Sequence, residues 1–235
     1  MKLPWTTRLR HHPSAVLLAA QLLTLVLYPL MEQGDEGRVL FGAIGVIVVS
    51  LAVWVVNRST YDNWIAWLLA TPAILLSVAA VATARADLLM YSAIFESALY
   101  FYAAGSLISY MMHDHRVTKD ELYAAGATFT LLAWGFAYAF FVCQEWHPGS
   151  FTGLRDPTQP REWMELLFLS FTTLSGVGLG DILPLSPPAR TLVMLEQFAG
   201  IGYIATVVSR LVGLTIVRHR DEMRRTPPPR PPDET

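Results

Sequence analysis

The sequence predicts an all-α membrane protein with six transmembrane helices. Of its 235 residues, 53% are hydrophobic and only 15% are charged, and the mean hydropathy is +0.39. Soluble globular proteins carry about 25% charged residues, so this chain lacks the polar groups that would cover a water-facing surface. The single cysteine, Cys143, excludes a scaffold held together by intrachain disulfides. The net charge of −2 gives no general case for binding nucleic acid.

Six apolar runs are long enough to cross a bilayer. About 20 residues of helix span the hydrocarbon core. Because the backbone in lipid must satisfy its own hydrogen bonds, each run should be helical. Charged or turn-forming residues bound the runs. The predicted spans are Ser14–Met31, Val39–Val56, Trp64–Ala82, Leu88–Met112, Leu122–Cys143 and Thr191–Val217.

The positions of the basic residues predict the orientation of these spans. Cytoplasmic loops carry an excess of Lys and Arg. With the N-terminus inside, eleven Lys and Arg residues lie on the cytoplasmic side and five on the other. Both termini are therefore predicted to be cytoplasmic, in a plasma or inner membrane. The basic run Arg218–Arg225 would contact anionic lipid headgroups.

One segment between the last two spans does not fit a simple crossing. The apolar stretch Met164–Leu174 is too short to span a membrane, and glycine occupies every second position after it, at Gly176, Gly178 and Gly180. Non-helical backbone is tolerated at membrane depth only where protein buries it or water lines it. The segment Glu162–Asp181 therefore predicts a re-entrant loop, a helix that enters the membrane and returns as extended chain.

Alternating glycines allow a backbone conformation in which carbonyl groups can bind a cation. Glycine adopts backbone angles that other residues avoid, so neighbouring carbonyl groups can point the same way. A row of aligned carbonyl oxygens can replace the water shell of a monovalent cation. One chain supplies one wall of such a site, so four copies around an axis are required. The negative C-terminal end of a helix over Glu162–Thr172 would favour a cation there.

At these residues the sequence resembles the potassium-channel superfamily, in its bacterial six-transmembrane layout with a single pore loop. The usual filter of that family is Thr-Thr-Val-Gly-Tyr-Gly-Asp, and this chain has Ser-Gly-Val-Gly-Leu-Gly-Asp at 175–181. The likeness continues through Pro184, Arg190 and the stretch Ala199–Ile201, where the family has its inner-helix glycine. It covers about Leu122–Val217 and implies an outer helix, a pore helix, a selectivity filter and an inner helix.

The resemblance implies a role for each filter residue. The carbonyls of Gly176, Val177, Gly178 and Leu179 would coordinate K⁺, with Ser175 below them. Gly180 and Asp181 would complete the filter, with Asp181 behind the outer mouth.

Two departures from the family pattern should loosen this filter. Gly176 replaces a threonine, so a ring of hydroxyl ligands is expected to be missing, and restoring Thr at 176 is expected to tighten selectivity. Leu179 replaces the usual tyrosine, and Phe168 and Leu169 occupy the places of the aromatic residues that this tyrosine often bonds. Potassium selectivity is therefore less strongly predicted than conduction.

Two glycines near the middle of the last span, Gly200 and Gly202, are two residues apart. Gly200 and Gly202 predict either a gating hinge or a close approach of the pore helix, and both alternatives stay open. Ile201, Ile204 and Val208 would line an apolar cavity below the filter if the family register holds.

Charges inside the predicted spans are few. The fourth span, Leu88–Met112, contains no Lys or Arg, so the four-helix domain occupies the position of a voltage sensor without its arginine-rich helix. Glu96 lies among tyrosines and favours a hydrogen-bonded or protonated structural role. Glu196 would either support the filter from behind or form an interhelical hydrogen bond with Gln197 or another neighbour.

The predicted organisation is a cytoplasmic N-terminus (1–13), a four-helix membrane domain (14–112), a pore domain (122–217) and a basic, proline-rich, disordered cytoplasmic tail (218–235). The predicted function is passive cation conduction by a homotetramer, with K⁺ as the permeant ion, no other cofactor and no enzymatic activity. A weakly selective monovalent cation channel and a non-conducting membrane scaffold that keeps the pore fold are the alternatives. An enzyme or a coupled transporter is least favoured, because the chain lacks a polar catalytic cluster and repeated broken helices.

Overall fold

The computed structural model describes residues 13–31, 48–54, 63–83, 85–113, 119–153 and 159–225. These ranges form seven helices and two short strands. In chain order they are α1 (Pro13–Met31), α2 (described at 48–54), α3 (Asn63–Thr83), α4 (Ala86–His113), α5 (Lys119–Trp146), β1 (Phe151–Gly153), α6 (Trp163–Leu174), β2 (Ile182–Pro184) and α7 (Pro187–Arg225).

The all-helical prediction is confirmed for the described part of the chain. Five of the six predicted spans overlap α1, α3, α4, α5 and α7, and the second is described only at 48–54. By length and hydropathy, Asp120–Trp146 and Pro187–Arg210 are candidate membrane spans, while Pro13–Tyr28 and Trp64–Ala80 are shorter apolar helices. The number of crossings stays a prediction.

The helix α7 corrects the predicted boundary of the tail. The sequence predicts a disordered segment from residue 218, but α7 continues to Arg225. The apolar pattern ends at Val217, and the charged residues that follow it, such as Glu222 and Arg224, are good helix formers. Hydropathy therefore marks the end of the predicted span and not the end of the helix. Residues 226–235 and 1–12 lie outside the described residues.

The helix α5 lies at the centre of the fold. It packs against α4, α6, α1 and α7. Small residues on its surface, such as Ala127, Ala133 and Ala137, are fully buried and allow its neighbours to approach closely. Trp134 and Phe140 fill the space between helices and are almost completely buried.

Polar contacts hold the N-terminal end of α5 in place. Ser14 at the start of α1 donates a hydrogen bond of 3.2 Å to Asp120. Arg210 on α7 forms a 3.1 Å ion pair with Glu121. The hydroxyl of Tyr203 on α7 donates to the Ala125 carbonyl at 2.5 Å. These contacts fix α1 and α7 against the same end of α5.

The two strands lie near the C-terminal end of α5. β1 and β2 pair antiparallel, with Phe151 opposite Pro184. The amide side chain of Gln144 holds the backbone of Arg161 at both groups, accepting from its nitrogen at 2.7 Å and donating to its oxygen at 3.0 Å. The end of α5, the start of α6 and the start of α7 are therefore tied together around the segment 175–181.

Candidate functional site

The short helix α6 is positioned by its first turn. The backbone nitrogen of Glu162 donates to the Glu165 carboxylate at 2.9 Å, which fixes the entry of the chain into the helix. The Trp163 ring then packs edge-on against Trp134 of α5, with ring centroids 5.3 Å apart, and against Tyr138 at 5.5 Å. The buried side of α6 faces α5, so its C-terminal end is held at a defined place.

The end of α6 is capped by the chain that follows it. The Ser175 nitrogen donates to the Phe171 carbonyl at 3.1 Å, and the Gly176 nitrogen donates to Thr173 at 3.1 Å. The Gly178 nitrogen then reaches back to the Thr172 carbonyl at 3.0 Å. The alternating segment, residues 175–180, is therefore hydrogen-bonded directly to the carbonyl end of α6, where the helix macrodipole is negative.

Residues 177–180 are not helical. The φ angles of Gly176, Gly178 and Gly180 are +75°, +59° and +75°. Only glycine adopts this left-handed backbone readily. Every second residue from 176 to 180 thus has a left-handed backbone, with Val177 and Leu179 between them.

The backbone at Gly176 constrains one substitution that the sequence suggests. The sequence comparison treats this glycine as a lost threonine, and restoring threonine there is expected to tighten selectivity. Because φ at Gly176 is +75°, a β-branched residue at this place would be strained. The positive φ at 176 therefore favours glycine, and glycine offers no side-chain hydroxyl group.

The whole segment is open on one side in the single chain. Residues 175–180 are all exposed, and the apolar side chains of Val177 and Leu179 are each 63% exposed. Behind the segment, Leu169 is buried and Phe168 is exposed. Asp181 is half-buried, and its carboxylate accepts a 3.0 Å hydrogen bond from the neighbouring Ile182 nitrogen.

Gly200 and Gly202 of α7 differ in their surroundings. A Cβ atom on Gly200 would lie 2.1 Å from the carbonyl oxygen of Leu174, the last residue of α6. A Cβ atom on Gly202 would meet nothing within 4 Å among the described residues. Of the two alternatives for Gly200, the structure favours close approach. Ile201, Ile204 and Val208, which were predicted to line a cavity, are exposed on α7.

Glu96 and Glu196, the two carboxyl groups singled out within the predicted spans, form hydrogen bonds between helices. On α4, Glu96 accepts from Ser77 of α3 and from Ser92, each at 3.0 Å. On α7, Glu196 is fully buried and contacts the Ser170 hydroxyl of α6 through a short hydrogen bond. Ser170 was not singled out from the sequence. The available signal was a hydroxyl within the apolar run Met164–Leu174.

A comparison with protein families matches residues 126–216 to a family model described as "Ion channel". The match begins in α5, includes α6 and the segment 175–181, and ends in α7. It supports the resemblance carried by the filter motif, because this part of the chain, about two fifths of its length, is similar to the ion-channel family. No curated protein and no solved structure is significantly similar to the chain.

Proposed function

We propose that the protein is a passive, homotetrameric cation channel of a plasma or inner membrane, with K⁺ as the permeant ion and both termini cytoplasmic. The carbonyl oxygens of Gly176, Val177, Gly178 and Leu179 coordinate the ion. Ser175 lies at the inner end of this filter, and Gly180 and Asp181 lie at its outer end. The last two spans, α5 and α7, flank the pore helix α6.

The observation that carries this proposal is the backbone of the segment after α6. Left-handed glycines at 176, 178 and 180 alternate with Val177 and Leu179, directly at the carbonyl end of a short helix. This segment lies within the part of the chain that matches the ion-channel family. Rings of backbone carbonyls that replace hydration water are the means by which potassium filters select their ion.

The exposed surface of α7 supports an assembly of several copies. Within the single chain, 67% of the candidate span in α5 is buried but only 22% of that in α7. Large apolar side chains protrude from α7, and the most exposed, Phe198, is 81% exposed. Neighbouring copies would cover one side of this surface, and a cavity would lie on the other. Four chains complete a filter of which one chain supplies a single wall.

The degree of selectivity depends on two residues. Gly176 offers no side-chain hydroxyl, and Leu179 cannot donate the hydrogen bond with which a tyrosine would brace the filter. Packing alone then holds the outer part of the filter. A weakly selective monovalent cation channel is the second candidate for this reason.

Flux from liposomes tests the proposal. Purified protein should release K⁺ down its gradient, and reversal potentials in mixed K⁺ and Na⁺ should favour K⁺. Gly178→Ala forces a side chain onto a left-handed position, at a cost of about 1–2 kcal/mol, and should lower flux about tenfold. Gly105→Ala on α4 is the matched control, because a Cβ there meets nothing within 4 Å.

The outcomes separate the alternatives. Equal permeability to K⁺ and Na⁺ would replace the potassium channel by the weakly selective one. Folded, tetrameric protein that passes no cation at any voltage would support the non-conducting scaffold. Flux that survives Gly178→Ala unchanged would remove the segment 175–180 from the conduction path.

A further inference from the structure

Three helices meet at one hydroxyl oxygen. The Ser170 Oγ of α6 lies 2.8 Å from the carbonyl oxygen of Ala133 on α5, and it is also hydrogen-bonded to the Glu196 Oε1 of α7. Ser170 and Glu196 are fully buried. The hydroxyl therefore joins the outer helix, the short helix and the inner helix at a single point.

The number of hydrogen atoms available at this junction determines which group donates each hydrogen bond. A serine hydroxyl has one hydrogen, and a backbone carbonyl can only accept. If Ser170 donates to Ala133, its contact with Glu196 needs a hydrogen from the carboxyl group. If Ser170 donated to an ionised Glu196, two acceptor oxygens would face each other at 2.8 Å with no hydrogen between Ser170 and Ala133.

The surroundings of Glu196 do not favour a charge. Among the described residues, no Lys, Arg or His side chain lies within ion-pair distance of this carboxyl group. Its second oxygen, Oε2, has no hydrogen-bond partner there. A buried carboxylate without a cation and with one bonded oxygen is costly, whereas a neutral acid leaves only a carbonyl oxygen unpaired.

We propose that Glu196 is a neutral carboxylic acid that donates its proton to Ser170, which in turn donates to the Ala133 carbonyl. This directed chain of hydrogen bonds fastens α7 and α5 to α6. Glu196 lies one helical turn before Gly200, which contacts Leu174, and Ser170 lies one turn before Leu174. Glu196 is thus a positioning residue for the end of α6, and its effect on ion selection rests on the proposed function.

Infrared difference spectroscopy tests the protonation directly. The spectrum of the wild-type protein in liposomes at neutral pH minus that of Glu196→Gln should contain the C=O band of a protonated carboxylic acid. Glu96 is present in both proteins and cancels. The band should remain in Ser170→Ala but move to higher frequency, because the acid loses its hydrogen-bond acceptor. A difference spectrum that contains only the bands of an ionised carboxylate would overturn the proposal.

Flux measurements test the positioning role. In Glu196→Gln the amide can still donate to Ser170, so K⁺ flux and the K⁺/Na⁺ permeability ratio should stay within about twofold of wild type. Leucine has a similar size but no hydrogen-bond donor, so in Glu196→Leu the K⁺ flux, the K⁺/Na⁺ permeability ratio or both should fall about tenfold. Gly105→Ala on α4, where a Cβ atom meets nothing within 4 Å, is the control and should behave as wild type.

The two failures are distinguishable. Wild-type protein that conducts no cation would contradict the proposed function, while the infrared band would still decide whether Glu196 is protonated. A Glu196→Leu protein that conducts and selects like wild type would contradict the positioning role, whatever the infrared result.

Discussion

Gly200 of α7 lies directly against Leu174, the last residue of α6. A Cβ atom at 200 would be 2.1 Å from the Leu174 carbonyl oxygen and 2.9 Å from its carbonyl carbon. Both of these atoms are backbone, so no rotamer change can make room. The absence of a side chain at 200 thus sets how closely the inner helix approaches the end of the helix that precedes the alternating segment.

Gly200→Ala should therefore disturb the site, and Gly202→Ala should not disturb the fold of the single chain. Overpacking against backbone costs about 1–3 kcal/mol, so Gly200→Ala should lower the thermal stability in detergent and reduce K⁺ flux. Gly202→Ala has open space and should keep or slightly raise stability, because alanine is the better helix former. Equal thermal stability of the two variants would contradict the close approach.

A second prediction concerns the backbone at Gly176. Gly176→Ser and Gly176→Ala both place a side chain at φ +75° and should carry a similar strain of about 1–2 kcal/mol. They differ in one hydroxyl group. If residue 176 faces the ion path, the serine variant should have the higher K⁺/Na⁺ permeability ratio of the two. Identical ratios in bi-ionic reversal-potential measurements would place the side chain at 176 away from the ion.

The glycine positions also show what the sequence could and could not predict. Apolar runs and their polar boundaries predict the helices, because burial in lipid requires a helix whatever its neighbours are. However, a hinge and a close helix contact both require glycine at position 200. Only the position of Leu174 in the folded chain distinguishes the two interpretations. Similarly, Gly176 was interpreted through the hydroxyl that it lacks, while its positive φ became visible only in the folded backbone.

The hydrogen-bonded carboxyl groups were predicted in part. Glu96 and Glu196 stand out in the sequence because they are ionisable residues within apolar runs. Their partners do not stand out in this way. Ser170 and the Ala133 carbonyl come from two other helices, and pairing them with Glu196 requires the rotation of each helix about its axis. Residue spacing along one helix does not contain that information.

The ion pair between Arg210 and Glu121 provides a third prediction. Glu121 is almost fully buried, and the pair joins the inner helix to the start of α5. Removing one partner breaks this charged hydrogen bond, so Glu121→Gln or Arg210→Gln should lower the unfolding free energy by about 1.5–3 kcal/mol. The double variant should lose less than the sum of the two single losses. Strictly additive losses in a double-mutant cycle would show that the pair contributes no coupling.

The Glu96 cluster provides a fourth prediction, about stability and not conduction. The Ser77 and Ser92 hydroxyls lie 2.7 Å from each other, and each lies 3.0 Å from Glu96 Oε1 between α3 and α4. Glu96→Ala removes this shared hydrogen-bond partner and should cost about 1–3 kcal/mol of unfolding free energy, although Ser92 keeps the Ala73 carbonyl as an acceptor. Glu96→Gln keeps an acceptor oxygen and should cost less, with K⁺ flux unchanged. A stable Glu96→Gln protein without flux would assign this carboxyl a direct part in conduction or gating.

The central claim is that residues 176–179 face a common axis and bind the permeant ion through their backbone. The most direct measurement is anomalous diffraction from crystals of the assembled protein soaked in Rb⁺ or Tl⁺, which substitute for K⁺. The account predicts four chains around one axis, with anomalous peaks on that axis level with the carbonyl oxygens of Gly176, Val177, Gly178 and Leu179. Peaks elsewhere in an ordered crystal, or an assembly in which residues 176–179 face lipid, would contradict it.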